Sequence, residues 1–210
     1  MTINELARDV HANAVAHGWW DGERNEAEII ALIHSEWSEA LEEARAGRPL
    51  TWRECNGAAM LANEVHGCNF MPPNICMETE NCSYKSRKPE GVAVELVDGC
   101  IRILDYMGFM NAEIKDGDED STIESLYTAD NAQKVPDNVS ELIAYLHLYT
   151  SQAMANRSFH DLGIPDQFAL LGAMAAALSW VKKNGYDPLE ILLEKHEFNK
   201  SRPYKHGKKF

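Results

Sequence analysis

The sequence predicts an all-α fold. Apolar residues recur at helical spacing in several segments of the 210-residue chain, whereas the alternation of apolar and polar residues that is typical of strands is nearly absent. Hydrophobic residues make up 45% of the chain and charged residues 25%, which is the composition of a globular protein. We therefore expect a bundle of helices around an ordinary apolar core.

The first half of the chain predicts three helices. The strongest pattern covers residues 26–45, and Gly47 ends it. An earlier helix is predicted over residues 6–20. A later one opens after Pro89 and ends at Gly108, because proline suits the start of a helix and glycine suits its end.

Three further helices are predicted in the second half. Their patterns cover residues 140–157, 165–183 and 188–200. Ser140 and Asp187 are predicted to start the first and the last of them, because short polar side chains accept hydrogen bonds from free backbone N–H groups at a helix start.

The two halves of the chain resemble each other. When the chain is aligned with itself at a shift of 113 residues, His34 matches His147 and the neighbouring apolar positions also match. At a shift of 74, residues 104–106 match residues 178–180. The two shifts differ by 39, close to the length of a Cys-containing segment that we interpret as an insertion in the first copy. The pattern predicts an internally duplicated pseudo-dimer, although two unrelated amphipathic helices can also resemble each other by chance.

This repeat predicts the domain organisation. Residues 1–110 form a first helical unit, with the insertion at about residues 49–88. Residues 111–139 form an acidic linker, of the kind that is usually a solvated loop, and residues 140–210 form a second unit that ends in a basic tail.

The charge of the chain limits its partners. The net charge is −13, whereas a protein that binds duplex nucleic acid needs a basic surface, so that class of partner is excluded. The last 16 residues differ from the rest, because six lysines and arginines there outnumber one glutamate. An acidic body with a basic tail is able to bind small phosphates if a metal ion assists.

Membrane and secreted classes are not expected. The longest uncharged apolar-rich stretch, residues 167–181, is shorter than the roughly 20 residues that cross a bilayer. The first residues lack the basic start and apolar block of a signal peptide. Five cysteines without a Cys-x-x-Cys pair fit reduced thiols. We therefore expect a cytoplasmic protein.

Two pairs of carboxylates stand out. Glu36 and Glu39 are three residues apart on one predicted helix, and Glu95 and Asp98 are three apart on another. Side chains at this spacing project from one helical face, so each pair is able to offer its oxygens to a common cation, for which Mg²⁺ is the natural choice. The alternative is that both pairs are ordinary solvated faces.

These pairs resemble a known family, the MazG-like all-α nucleoside triphosphate pyrophosphohydrolases, whose relatives include dimeric dUTPases and dCTP pyrophosphatases. The family carries a Glu-Glu-x-x-Glu helix followed by a Glu-x-x-Asp helix, and four of these five acidic positions match. Residues 88–105 and 194–209 also look like bacterial and phage members of the family. Ser35 departs from the pattern, which leaves the number of metal ions and the activating base open.

The resemblance implies a MazG-like helical bundle that forms a homodimer and hydrolyses (deoxy)nucleoside triphosphates to the monophosphate and pyrophosphate, as nucleotide-pool house-cleaning. It implies that Glu36, Glu39, Glu95 and Asp98 are the catalytic residues and hold Mg²⁺, with Mn²⁺ as a possible substitute. Bound Mg²⁺ bridges carboxylate and phosphate oxygens and lowers the pKa of a coordinated water.

The resemblance also implies substrate contacts. Lys195, Asn199 and Arg202 fall where relatives contact phosphates, and the alternative for this tail is a solvated terminus. His11 and Trp20 have a spacing similar to that of the base-pocket His and Trp of dCTP-pyrophosphatase-like relatives. Core packing is the alternative for both. The preferred base and sugar are left open.

The insertion allows a zinc site. Its ligand types are suitable, but their spacing matches no zinc pattern, so a plain loop with buried thiols is the alternative. The residues concerned are Cys55, His66, Cys68, Cys76 and Cys82.

Two other functions compete with hydrolysis. A non-catalytic nucleotide-sensing or protein-interaction module, in which duplication and Ser35 mark a decayed site, would bind nucleotides or other proteins without turnover. A helical scaffold with a zinc-stapled insertion would show neither binding nor turnover.

Overall fold

The computed structural model of the chain describes residues 1–54, 75–76, 88–159 and 166–207. Helices dominate this part of the chain, which confirms the all-α class. The helices are α1 (Ile3–Ala16), α2 (Glu26–Arg45), α3 (Val92–Phe109), α4 (Ala129–Lys134), α5 (Val139–Phe159), α6 (Asp166–Lys183) and α7 (Pro188–Lys200). Two 3₁₀ turns, Ile123–Tyr127 and Tyr204–Gly207, complete the helical segments that the structure describes.

Short strands accompany the helices. An antiparallel sheet has the order β2-β1-β3, formed by β2 (Ile75–Cys76), β1 (Trp52–Glu54) and β3 (Pro89–Glu90). A second pair, β4 (Lys115–Asp116) and β5 (Glu119–Asp120), is an exposed hairpin in the acidic linker. Sequence analysis missed these strands because two or three residues are too few to show alternation.

Capping side chains set several helix ends. Thr2 and Glu5 form a capping box at the start of α1. Asp187 accepts hydrogen bonds from two backbone N–H groups at the start of α7, as predicted. At α5 the cap is Asn138 and not Ser140, since the Asn138 side chain accepts from the backbone of Ser140 and of the next residue.

Helix α3 is the centre of the bundle. Most of its residues are buried, and it packs against α1, α2, α6 and α7. Glycines allow two of these close approaches. A Cβ atom on Gly99 would lie 2.2 Å from the Trp37 ring of α2, and one on Gly108 would lie 2.5 Å from the Ala7 carbonyl oxygen of α1. The site residues of α2 and α3 are therefore brought together by a tight helix crossing.

Helix α2 also packs against α5, and two contacts there join residues that are 113 positions apart. The rings of His34 and His147 stack with centroids 5.0 Å apart, and their Nδ1 atoms are 2.7 Å apart. The Trp37 indole donates a hydrogen bond of 2.9 Å to the Thr150 hydroxyl. The repeat shift therefore matches residues that meet at this crossing.

One apolar core joins both predicted units. It includes Ile33 of α2 and Leu104 of α3 together with Leu142 of α5 and Leu178 of α6. The linker is only partly a solvated loop, because its Ile123 is fully buried in the same core. A search of the described helices for a segment long and apolar enough to span a bilayer found none.

Candidate metal centre

Three carboxylates meet where α2 crosses α3. One oxygen from each of Glu36, Glu39 and Glu95 lies within 4.8 Å of the other two. Glu36 and Glu95 are 4% and 2% exposed, whereas Glu39 is open to solvent. The i, i+3 spacing on α2 places its two glutamates on one face, and α3 supplies the third from the opposite side.

Asp98 lies beside this cluster and faces α7. Its carboxylate is 3.2 Å from the Lys195 ammonium and accepts a hydrogen bond of 3.4 Å from the Asn199 amide. The negative charge of Asp98 adds to the effect of burial in raising the pKa of Glu36. The structure therefore groups three of the four predicted ligands and places the fourth next to them.

The pKa values of these groups shift in opposite directions. Burial raises the pKa of Glu36, and it raises the pKa of Glu95 to about 8 although the nearby Lys195 charge opposes it. Burial also acts upward on Asp98, but the charges of Lys195 and Arg102 outweigh it and hold the pKa of this carboxyl below its usual value. For the two buried glutamates, the positive charges of Arg102 and Lys195 do not outweigh the effect of burial.

Arg102 is a site residue that sequence analysis missed. Its guanidinium Nε donates to a Glu36 oxygen at 2.5 Å. Arg102 follows Asp98 by one helical turn on α3, so its spacing alone was an available signal. It supplies a positive charge beside the buried end of the carboxylate cluster.

Lys195 is fully buried, in contrast to the phosphate contact that the family resemblance implies. Its ammonium lies at Asp98 and 3.5 Å from the Pro89 carbonyl oxygen. In this arrangement Lys195 balances the charge of the carboxylates, and no exposed part of it is available to a substrate.

His11 and Trp20 come together as the resemblance implies, around a third residue. The His11 Nδ1 and the Trp20 indole N–H both lie 2.8 Å from one oxygen of Asp105, which is on α3. Trp20 also stacks on Phe109, with ring centroids 4.3 Å apart. One face of the indole is therefore covered by the protein itself. Asp105 lies two turns beyond Asp98, a spacing that could have identified it.

A pocket lies on the side of Asp98, between α1, α3, α7 and the chain end. Its walls carry charged and polar groups from the α1–α2 loop, α3, α7 and the segment after α7, namely Arg24, Asp98, Arg102, Asp105, His196, Asn199 and Arg202. Tyr204 donates a hydrogen bond to Asp21, and the Lys205 backbone donates to His17, so the chain end is fixed to the α1–α2 loop. Arg202, just before this contact, has no carboxylate partner among the described residues.

The predicted zinc ligands cannot be placed. Cys55, His66, Cys68 and Cys82 lie outside the described residues, and for Cys76 only the backbone in β2 is described. The zinc hypothesis stays a prediction.

Comparisons of the chain with protein-family models, with curated proteins and with solved structures give no match. Membership of the MazG-like family, the homodimer and the identity of the metal therefore stay predictions, and the geometry of the site has to carry the functional argument.

Proposed function

We propose that the chain hydrolyses (deoxy)nucleoside triphosphates to the monophosphate and pyrophosphate with the help of Mg²⁺. The observation that carries the proposal is the cluster of Glu36, Glu39 and Glu95, two of them buried, beside Asp98, which lines a pocket that also contains Arg24 and Arg202. Carboxylates suit a hard divalent cation, and arginines suit phosphate oxygens.

The cluster has dimensions suited to Mg²⁺. The ligands of an octahedral Mg²⁺ lie about 2.1 Å from the ion and hence about 3 to 4 Å from one another. The three glutamate oxygens are within 4.8 Å of one another, so small side-chain shifts would bring them into range.

Charge balance also supports a cation. Four carboxylates, Glu36, Glu39, Glu95 and Asp98, stand against two positive groups, Arg102 and Lys195. A divalent cation would cancel the remaining charge. It would also offset the cost of burying ionised carboxylates, which raises the pKa of Glu36 and Glu95. Without it, a triphosphate would meet a negative surface.

Each residue then has a distinct task. Glu36 and Glu95 would hold the ion from the buried side, and the Lys195 charge favours the ionised form of Asp98. Glu39 is exposed and is able to accept a proton from the attacking water. Bound Mg²⁺ would supply positive charge that stabilises the phosphate oxygens and lowers the pKa of the attacking water. Arg202 faces the pocket and suits the phosphates that leave as pyrophosphate.

We also propose that the fold arose by internal duplication and that only the first copy keeps a site. The contacts between His34 and His147 and between Trp37 and Thr150 support this, because each joins residues 113 apart. In a two-fold arrangement, equivalent residues meet at the axis.

A nucleotide-sensing module is the second candidate. Two of the carboxylates already form ion pairs, Glu36 with Arg102 and Asp98 with Lys195. A protein that binds no catalytic metal would need the same ion pairs to bury these charges. This candidate predicts binding of nucleotides without turnover.

The test is a panel of ribo- and deoxyribonucleoside triphosphates incubated with the purified chain and Mg²⁺. We expect release of pyrophosphate from at least one of them, and EDTA should stop it. Glu39→Gln should lower the rate by about 100-fold or more, on the scale of losing a general base. Gln152→Ala, at the matching position of α5, should leave the rate unchanged.

Release of single phosphate ions, or equal rates for the wild type and Glu39→Gln, would contradict the proposed reaction. Binding of nucleotides without any release of pyrophosphate would favour the sensing module.

A further inference from the structure

Two buried polar atoms in the pocket wall have no hydrogen-bond partner among the described residues. They are Nδ1 of His196 and Oδ1 of Asn199. The two residues are only 1% and 8% exposed, and both line the pocket beside the metal centre. They are three positions apart on α7 and therefore adjacent on one face. Buried polar atoms are nearly always paired, so these two indicate a group that the chain does not supply.

The neighbours of these residues fix their hydrogen-bonding character. Nε2 of His196 lies 2.8 Å from an Asp9 oxygen, and because a carboxylate only accepts, Nε2 carries the proton. When the ring is neutral, Nδ1 is then an acceptor. The Asn199 amide nitrogen donates to Asp98, and a flipped amide would set its oxygen against that carboxylate. Oδ1 of Asn199 is therefore also an acceptor.

Acceptors of this kind do not suit a phosphate, since phosphate oxygens of a metal-bound nucleotide are acceptors themselves. The pocket has separate donors for anions in Arg24 and Arg202. The unpaired acceptors require a part of the ligand that carries O–H or N–H groups. In a nucleotide, such groups occur on the sugar and on the base.

We propose that His196 and Asn199 determine specificity by accepting hydrogen bonds from the nucleoside part of the substrate, through Nδ1 and Oδ1 respectively. The proposal rests on the proposed function for the presence of a nucleotide. It changes the role of Asn199, which the family resemblance implies to be a phosphate contact, and it adds His196, to which sequence analysis assigned no role. A site that hydrogen-bonds a substrate group discriminates strongly against analogues that lack it.

The experiment compares binding of the two products, which avoids turnover. Affinities of the full chain for the four deoxynucleoside monophosphates and for inorganic pyrophosphate are measured by calorimetry with Mg²⁺ present. Asn199→Leu keeps the size of the side chain but removes its acceptor, and His196→Phe does the same for the imidazole. We expect each variant to bind the preferred monophosphate at least tenfold more weakly and pyrophosphate within twofold of the wild type.

Lys200→Met is the matched control. Lys200 contacts the same Asp9 carboxylate as His196 but does not line the pocket. Its loss should leave both affinities within twofold of the wild type. Retained binding of pyrophosphate in the other two variants also shows that they are folded.

Analogues of the preferred monophosphate show whether the donor group belongs to the sugar or to the base. Removal of the 3′-hydroxyl tests the sugar, and replacement of guanine by hypoxanthine, or of adenine by purine, tests an amino group on the base. The analogue that loses at least tenfold in affinity identifies the group that the two acceptors bind.

Equal weakening of both ligands, no weakening of either, or a wild type that binds no monophosphate would overturn the inference. The failure of the proposed function looks different. If monophosphates bind selectively but no triphosphate releases pyrophosphate, the reaction is wrong and the acceptor pair stands. If pyrophosphate is released but the variants do not discriminate, only the acceptor pair is wrong.

Discussion

The helix pairs α2–α3 and α5–α6 occupy matching places in the predicted repeat but carry different side chains. The first pair presents Glu36 beside Asp98. The repeat shifts match these two positions with Tyr149 and Gly172, and these also face each other, since a Cβ atom on Gly172 would lie 3.3 Å from the Tyr149 ring. The same kind of crossing therefore accommodates either a charged cluster or an aromatic contact, so the site depends on side chains and not on the helical frame.

The pairs also differ in what they bury. The first pair buries Glu36 and Glu95, with the α7 residue Lys195 beside them, whereas the described residues of the second pair bury no charged side chain, and Leu170 and Met174 are fully buried there. Buried charges need partners, because removal of one leaves the others unpaired in a medium of low polarity. The first pair should therefore be far more sensitive to single substitutions.

The largest difference should appear when a positive group is removed from each region. We expect Lys195→Met to destabilise the metal-free protein by about 3 to 5 kcal/mol, because Asp98 loses a buried partner. Lys183→Met of α6 breaks the pair of Lys183 with the exposed Asp137 and should cost less than about 1 kcal/mol. Urea unfolding in the presence of EDTA measures both. Similar losses in the two variants would contradict the contrast.

A smaller difference should appear at the glycines of the two crossings. The Cβ atom of Gly99→Ala would lie 2.2 Å from the buried Trp37 ring, and we expect a loss of about 2 kcal/mol in stability. In Gly172→Ala the contact with Tyr149 is 3.3 Å and the ring is partly exposed, so it is able to move.

The higher helix propensity of alanine, about 1 kcal/mol, should then offset most of the cost at position 172. Urea unfolding of the two variants tests the comparison. A Gly172→Ala variant as unstable as Gly99→Ala would show that the second crossing is packed as tightly as the first.

The smallest effect concerns the junction between the two regions. Burial lowers the pKa of both His34 and His147 from 6.5, and a charge on His147 lowers the pKa of His34 further. Because the folded state binds these protons less readily than the unfolded state, the stabilisation is complete above pH 6.5 and is lost as the pH falls below it. We expect the free energy of unfolding to fall more between pH 7.5 and pH 5.5 in the wild type than in the double variant His34→Gln/His147→Gln. Urea unfolding at the two pH values measures both.

The double variant is the necessary reference for this measurement. Glu95 has a raised pKa and contributes the opposite slope, since its neutral form is favoured in the folded state and its stabilising contribution falls as the pH rises from about 4.5 towards 8. An identical pH dependence in the wild type and the double variant would show that the histidine pair is not titrating.

Local patterns predicted most of the helices, and the reason is that periodicity and capping act over a few residues. The bounds of α2 and α7 agree with the expected ones, and Asp187 caps α7 as expected. The prediction failed where two neighbouring residues compete for one role, as with Asn138 and Ser140. It also failed for β1 to β5, which are too short to carry a pattern.

The candidate site was also predicted only in part from the sequence. The i, i+3 spacing was sufficient to place Glu36 with Glu39 and Glu95 with Asp98 on common helical faces. It could not reveal that Asp105 receives hydrogen bonds from both His11 and Trp20, because these residues come from distant parts of the chain.

The sequence by itself determined the helices, the faces on which their acidic residues lie and the net negative charge. Only the tertiary structure decided which charges are buried and with which partners: Arg102 with Glu36, and Lys195 with Asp98. The physical reason is that spacing along a helix is a local property, whereas burial and the electrostatic interactions that it strengthens depend on the packing of α2, α3 and α7 against one another. That packing turned Lys195 from a predicted phosphate contact into a buried partner of the carboxylates.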